Sequence, residues 1–369
     1  MEKNNKTLNV PHLRFPEFSG EWEKELLGTT CNIQMCKRIL ASQTNSESGV
    51  PFYKIGTIGG VPDAYISKEL FESYRAKYSY PRKGEVMITC AGTVGKAMIF
   101  DGHDSYYQDS NIVWIDNPTN KINNTFLYHF ISKVDWSKLN TTTIVRIYND
   151  DLRQLKISYP TLTEQRKISI FLDLLNKRIQ TQRKIIEKYE SLIRGLCEKL
   201  TRRETPNKTI AECLECHSST LQESSVLDAG NYPVYGAIGI CGHIDTPDVS
   251  GNGILIIKDG ASVGVTYFAD GSYSFIGTLN RLTAKEDINL RYVYYCLKVL
   301  NFTPYKTGLA IPHIYFKDYG KHKIWCPTLE QQSSIADALT TIDNKILVEK
   351  SLLEQLNSQK RYMLNQLFI

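Results

Sequence analysis

The sequence predicts an α+β protein in which two similar β-rich domains are separated by two long helices. The helices are expected to pair as an antiparallel coiled coil, making the chain a pseudo-twofold repeat. Three observations carry this reading. A segment of about forty residues recurs at an offset of 167 positions. Both copies hold an apolar seam of period 3.5, and the stretches preceding them share a second, strand-like pattern.

The repeat opens with Pro160-Thr-Leu-Thr-Glu-Gln-Arg-Lys-Ile168 and with Pro327-Thr-Leu-Glu-Gln-Gln-Ser-Ser-Ile335. Each proline closes a strand-like run, Leu155 to Tyr159 and His322 to Cys326. Thr161 and Thr163, or Thr328, stand where a helix cap is needed. The first copy then places Ile168, Leu172, Leu175, Ile179, Gln182, Ile186, Tyr189, Ile193, Leu196 and Leu200 at alternating spacings of four and three. The second places Ile335, Leu339, Ile342, Ile346, Glu349, Leu353, Leu356, Lys360, Met363 and Leu367. A seam sustained at 3.5 rather than 3.6 is coiled-coil behaviour. Each helix spans roughly 38 residues, about 55–60 Å at 1.5 Å per residue. Gln182 and Glu349 interrupt the two seams near their middles, either as a buried register-selecting pair or as an exposed mid-seam. If the ends of the second domain lie close together, the second helix runs back beside the first. The expected segments are 1–21 (N-terminal), 22–158 and 202–326 (β-rich domains), and 159–201 and 327–369 (helices).

The two β-rich domains also resemble each other. Gly84-Glu-Val-Met-Ile-Thr-Cys-Ala-Gly-Thr-Val-Gly95 reads as a buried strand running into a glycine turn. Gly253-Ile-Leu-Ile-Ile-Lys-Asp-Gly-Ala-Ser-Val-Gly264 repeats it 169 residues on. The same shift carries Asn111 onto Asn280, and Pro51-Phe-Tyr53 resembles Pro233-Val-Tyr235. Ahead of each helix, Ile144-Val-Arg-Ile-Tyr148 aligns with Ile311-Pro-His-Ile-Tyr315.

Several function classes fall away. No apolar run reaches the ~18–20 residues that span a bilayer, and the first residues lack the apolar stretch of a secretory signal. A cytoplasmic location without membrane contact is expected, with nine cysteines as reduced thiols. Cys213-Leu-Glu-Cys216-His217 matches a haem-attachment pattern, but that chemistry requires export, and no second closely spaced Cys/His pair completes a zinc site. Gly92-Thr-Val-Gly95-Lys96 lacks the first glycine of a phosphate-binding loop and has Ala97 in place of Ser or Thr. Gly236, Gly239 and Gly242 have the wrong spacing for a dinucleotide fold. What recurs between the copies is Gly, Asn, Tyr and aliphatic residues, a scaffold displaying loops rather than a duplicated catalytic centre. No metal, cofactor or catalytic residue is therefore expected on this chain.

The net charge of +5 permits a polyanionic partner. Phosphate contacts are assigned to Lys54, Arg82, Lys83, Lys96 and Arg146 in the first domain, and to Lys258, Arg281, Lys306, Lys317 and Lys321 in the second. Turn N–H groups at the glycine turns, with Thr93 and Ser262, offer further phosphate contacts. Gln108, Asn111 and Asn280 have the chemistry to read adenine edges. Tyr148, His313 and Tyr315 complete the candidate DNA-binding set.

The ordered set comprises Pro11-His-Leu-Arg-Phe-Pro-Glu-Phe-Ser-Gly-Glu-Trp22, both Pro-Thr-Leu helices and both glycine-turn domains. It resembles the specificity subunits of type I restriction–modification systems over essentially the whole chain. The resemblance implies two target-recognition domains, each reading half of a bipartite site in double-stranded DNA, held apart by paired helices. It implies as partners two methyltransferase subunits, which bring S-adenosylmethionine, and restriction/translocase subunits that use ATP and Mg. DNA bending or base extrusion would then be driven mainly by those partners. The competing expectation is a coiled-coil adaptor presenting two protein-binding domains.

Overall fold

The computed structural model describes residues 8–138, 146–308 and 310–369. The chain divides into two compact units. Unit 1 is residues 1–181 with 353–369, and unit 2 is residues 182–352. Each unit therefore takes half of each long helix.

Unit 1 contains β1 (Glu23–Leu26), the single turn α1 (Leu27–Thr30), β2 (Asn32–Gln34), β3 (Val50–Tyr53), β4 (Tyr65–Ile66) and α2 (Lys68–Lys77). These are followed by β5 (Val86–Thr89), β6 (Ala97–Ile99), β7 (Tyr106–Tyr107) and β8 (Ile112–Asp116). Then come α3 (Asn124–Lys133), α4 (Asn149–Arg153), β9 (Lys156–Tyr159) and the long α5 (Leu162–Thr201). One sheet has the order β2-β8-β5-β6, a second β4-β3-β7, and β1 pairs antiparallel with β9.

Unit 2 contains β10 (Lys208–Thr209), α6 (Ile210–Cys213), β11 (Leu214–Ser218), β12 (Tyr232–Gly236), β13 (Gly239–Ile244) and β14 (Val249–Ser250). After them come β15 (Gly253–Ile257), β16 (Thr266–Ala269), β17 (Ser272–Phe275) and β18 (Leu279–Ala284). The unit ends with α7 (Leu290–Lys298), α8 (Phe316–Tyr319), β19 (Lys323–Ile324) and the start of α9 (Leu329–Leu367). Its sheets have the orders β11-β18-β15-β16 and β13-β12-β17-β14, with β10 on β19. Element for element the second set repeats the first. The main substitution is in the connection to the central strand, which holds α2 in unit 1 and β14 in unit 2. The strand expected over His322 to Cys326 is shorter than its sequence pattern, covering Lys323–Ile324.

The central strands β5 and β15 are buried at every residue, as their unbroken apolar runs require. Period-two alternation divides each between two cores. Val86 and Ile88 face Val113, Ile115, Phe126 and Leu127, whereas Met87 faces Phe52, Tyr106, Ile112 and Trp114. In unit 2, Ile254 and Ile256 pack with Leu282, Tyr292 and Val293. Leu255 and Ile257 pack with Val234, Phe275 and Leu279.

The first of these cores in each unit continues onto the helices. In unit 1, Ile168 and Leu172 near the start of α5 share it with Leu364, Leu367 and Phe368 near the end of α9. In unit 2, Ile193 and Cys197 near the end of α5 share it with Ala336, Leu339 and Ile346 near the start of α9. Within each unit the two helices thus run antiparallel. Ile168, Leu172, Leu175, Ile179, Gln182, Ile186, Leu339, Ile346 and Glu349 are buried, and Ile335, Ile342 and Leu353 half-buried. Of the two readings left open for the mid-seam, the buried one is found. Gln182 Nε2 donates to the Glu349 carbonyl at 3.1 Å and to its carboxylate, which also takes Lys345 Nζ at 2.7 Å. These are equivalent positions of the two copies, so the repeat meets itself at this pair.

Each long helix is fastened at its start by a buried glutamine. Gln165 Nε2 donates to the carbonyls of Pro160 (2.8 Å) and Lys121 (3.0 Å), while its Oε1 accepts from Asn123 N. Gln332 Nε2 donates to Pro327 O at 2.9 Å, and its Oε1 accepts from Asn289 N at 2.9 Å. Asn123 and Asn289 in turn cap α3 and α7. Thr328 Oγ1 accepts from Gln331 N at 3.4 Å, and Thr163 lies inside the first turn of α5.

The N-terminal segment adds a lock that unit 1 alone possesses. Arg14 grips the buried Glu164 through two hydrogen bonds of 2.8 and 2.7 Å, Phe15 meets Phe171 edge-on, and Leu13 N donates to Gln366 O. The position equivalent to Glu164 in the second copy is the exposed Gln331. A neutral side chain suits it, since it has no arginine to neutralise.

Two outcomes follow. Arg14→Met leaves the Glu164 charge buried and should destabilise by about 3–5 kcal/mol in urea denaturation. The double change Arg14→Met/Glu164→Gln, which copies the second repeat, should recover most of that loss. At the seam, Lys345 and Gln182 hold the Glu349 carboxyl below its ordinary value. Its stabilisation is thus present above the unfolded-state value, about 4.3, and is lost as pH falls through the folded one. Glu349→Gln should flatten the decline in thermal midpoint between about pH 5 and 3.

Candidate nucleic-acid interface

The glycine turns that join β5 to β6 and β15 to β16 are built alike, for a reason unrelated to phosphate. Gly95 has φ +81°, and a Cβ there would lie 2.0 Å from Trp136 Cδ1. Gly264 has φ +92°, and a Cβ there would lie 2.8 Å from Phe302 Cδ2. An aromatic ring is seated on each turn. The turn N–H groups are engaged within the fold: Gly95 N donates to Thr89 O, Gly264 N to Ile257 O, and Lys96 N to Thr89 Oγ1. Those three N–H groups are thus already occupied within the fold. Lys96 leads into the strand β6 rather than a helix, so no phosphate-binding loop of the nucleotide type is formed.

Beside each turn runs the segment that precedes the short helix α4 or α8. Ile147 N donates to Cys90 O, and Ile314 N to Lys258 O, both at 2.9 Å. The zipper presents Tyr148 (60 % exposed) next to the Arg146 guanidinium, 5.8 Å from its ring. In unit 2 it presents Tyr315 (45 % exposed) between His313, 4.2 Å away edge-on, and Lys317 Nζ at 5.0 Å. His313 Nδ1 is fixed by Asp259 at 3.1 Å. Each unit thus exposes an aromatic face with a cation against it, a pairing suited to a nucleic-acid surface. Ile144 and Val145, part of the aligned pattern, lie outside the described residues.

The remaining candidates divide into surface and internal groups. Lys83, Thr93, Ser262, Lys306 and Lys321 are exposed. Lys54 pairs with Asp63 at 2.9 Å on the surface, and Lys258 is half-buried. Gln108 and Asn111 line a groove of about 330 Å³ with Arg38, Thr44 and Lys54. There Gln108 Oε1 accepts from Ile55 N.

One assignment, Asn280, is corrected, and three cations are bonded within the fold while remaining at the surface or half-buried. Arg82 is held by Glu85 (2.9 Å) and Asp116 (2.5 Å), and the Glu85 bond raises its guanidinium above the ordinary value. Arg281 donates to Tyr273 Oη at 2.9 Å and to the carbonyls of Ser250 and Asn252, bracing a turn. Asn280 is buried in β18 and bonded to Ser218, which closes it to a base. Lys96 Nζ donates to Ile58 O at 2.5 Å, so it braces a loop. Asp116, Ser250, Asn252, Ser218 and Ile58 all come from other parts of the chain, whereas Glu85 and Tyr273 lie close by in sequence.

Cys213 is buried at the end of α6, whereas Cys216 and His217 are successive on β11 and so point to opposite faces. His217 Nε2 lies 2.9 Å from Thr283 Oγ1. Among the described residues no three His, Cys, Asp or Glu side chains gather as metal ligands, and no helix is long and apolar enough to cross a membrane.

The family model of the type I restriction modification DNA specificity domain matches the chain twice, over residues 19–191 and 206–358. The chain belongs to the type I restriction–modification specificity subunit family. A type I restriction enzyme specificity subunit assigned in Haemophilus influenzae, S.HindORF215P, is 54% identical over 147 residues, 40% of this chain and 38% of that protein. The MjaVIII specificity subunit of Methanocaldococcus jannaschii is 33% identical over 123 residues, 32% of this chain and 29% of that one. These two matches thus span well under half of either relative. The MjaX specificity subunit of the same archaeon is 23% identical over 97% of this chain and 95% of its own length. Among solved structures, the S subunit from M. genitalium shares the fold with a TM-score of 0.65 at 18% identity, covering 98% of this chain and 99% of that one. A chain from a study of type I complex assembly and conformational transition has a TM-score of 0.54 at 17% identity, with 96% and 98% covered.

The ring-seated glycines are open to test. Gly95→Ala combines overpacking with a left-handed Cβ and should cost about 2–5 kcal/mol. Gly84→Ala, at φ +91° with nothing within 4 Å of the added carbon, should show only the backbone part, about 1–2 kcal/mol. Urea denaturation of both variants separates the two contributions.

Proposed function

We propose that this chain is the DNA-reading subunit of a type I complex and carries no catalytic centre of its own. Each unit reads one half of a bipartite duplex site. The paired helices set the unread length between the halves and form the scaffold for modification and restriction subunits. S-adenosylmethionine belongs to the modification subunits in this reading, and ATP and Mg to the restriction subunits.

The observation that carries the proposal is the duplication itself. Two heads alike in topology, each exposing a tyrosine–cation pair, are joined to helices that are copies of one another. A protein that reads one asymmetric sequence needs only one head, whereas two diverged heads suit two different half-sites. Lys and Arg contacts would position each head on phosphates, and the divergent loops would discriminate bases.

The test is an exchange of residues 22–158 for those of a relative, followed by sequencing of modified bases in a host carrying the modification subunits. One half of the modified motif should change and the other should stay. A change in both halves, or in neither, overturns the modular reading. Removing seven residues from α5 and seven from α9 together should alter the spacer between the halves, whereas an unaltered spacer would remove the helices from that role.

A further inference from the structure

Among the described residues the two most exposed large aliphatic side chains are Val61 (84 %) and Ile238 (88 %). They lie in corresponding connections of the two units, one of eleven residues and the other of two. Val61 lies in the connection from β3 to β4, and Ile238 in the connection from β12 to β13. Neither is there for stability. A fully exposed aliphatic side chain gains nothing from burial, and turns favour Gly, Asn, Asp and Ser over β-branched residues. A local rule broken in the corresponding connections of two diverged copies marks function.

Both tips are also held in place. In unit 1, Thr57 N and Ile58 N donate to Lys54 O, Ile58 is buried, and Lys96 Nζ reaches across to Ile58 O at 2.5 Å. In unit 2 the strands pair up to Gly236 and Gly239, leaving Ala237 and Ile238 as the turn, and Tyr267 Oη donates to Ala237 O at 3.1 Å. Lys96 immediately precedes β6 and Tyr267 lies in β16, its counterpart. Two chemically different residues, one just before β6 and one inside β16, thus each bond a carbonyl of the connection that carries the apolar tip. A connection tied down from the neighbouring strand in both units points to the position of the tip as the thing being kept.

We propose that Val61 and Ile238 each contact the 5-methyl group of a thymine in the major groove, one in each half-site, with Lys96 and Tyr267 as their positioning residues. The inference rests on the DNA-reading role proposed above. The major groove admits a two-stranded ribbon, and the thymine methyl is the apolar group that base edges display there. A small, uncharged aliphatic tip is complementary to it and to no phosphate or amide edge.

The experiment uses the chain assembled with its modification subunits and a duplex carrying its modified motif, identified by sequencing. Thymines in the motif are replaced singly by deoxyuridine, which removes only the methyl group. The wild-type complex should bind about fourfold more weakly at one such position in each half, the factor that one buried methyl group is worth. Val61→Ser should weaken binding to the unsubstituted duplex and abolish the response to deoxyuridine in one half. Ile238→Ser should do the same in the other. Lys96→Met and Tyr267→Phe should reduce each response without removing it.

Serine suits a turn, and thermal unfolding of each variant verifies the fold. If wild type discriminates its motif yet no deoxyuridine position couples to Val61 or Ile238, the proposal is overturned while the DNA-reading role stands. If the serine variants instead fail to assemble with the modification subunits, the tips are protein contacts and the proposal is equally overturned. If wild type shows no sequence preference at all, it is the DNA-reading role that fails.

Discussion

A single buried glutamine at the start of each long helix is the constraint on which the rest of each unit depends. Gln165 and Gln332 each tie the end of the preceding strand to the cap of the neighbouring helix. Both side chains are almost completely buried, so an unmade bond would expose the chain to the full desolvation cost of a polar group. This bonding leaves the helix little freedom to rotate or slide against its sheet. The seam residues that follow inherit their facing from it, and every loop on the sheet inherits its direction. An apolar residue in the same place would fill the volume but would not fix the angle. The surrounding contacts would be greasy and tolerant of slippage, as cores of the right size but loose geometry are.

The central strands give the second level of order. Because β5 and β15 are buried on both faces, each is shared between a core that includes the helices and a core that lies under the hairpin. A loop mounted on the hairpin is thus coupled to the helix through one strand's alternating side chains. That is a short mechanical path, and it lets loop sequence diverge freely while loop placement stays constant. The glycine turns serve the same end. They let Trp136 and Phe302 sit against the backbone, which closes the edge of each core.

How much of this was legible in the sequence follows from the physics of each feature. The helices and their antiparallel pairing were legible because burial along a seam leaves a period, and a period survives divergence. The two central strands were legible through their unbroken aliphatic runs and the glycine turns that follow them. The function of the glutamines was not, since a polar residue in a first turn looks like a solvated one until its distant partners, 42 to 45 residues away, are placed beside it. The same limit explains the cations. Arg82, Lys96 and Arg281 read as phosphate ligands because charge is visible in a sequence and the carboxylate, carbonyl or hydroxyl it bonds in the fold is not. Asn280 shared that fate through burial. Tyr148 and Tyr315 remained on the surface as the alignment of the two copies had placed them. The aliphatic tips left no sequence signal, because Val and Ile in a chain of this composition look like core.

The lock between Arg14 and Glu164 makes the two halves of the repeat unequal partners. A gene fusion that carried the second helix start into the first position would set Gln331 against the arginine and strand a guanidinium in a half-dry site. The reverse transfer would place a carboxylate at the exposed position 331, where water solvates it. Shuffling between the halves is thus unequal: the first helix start is keyed to its own end of the polypeptide, and the second carries no such key among the described residues. Diversification by recombination would have to exchange heads and leave that keyed start where it is.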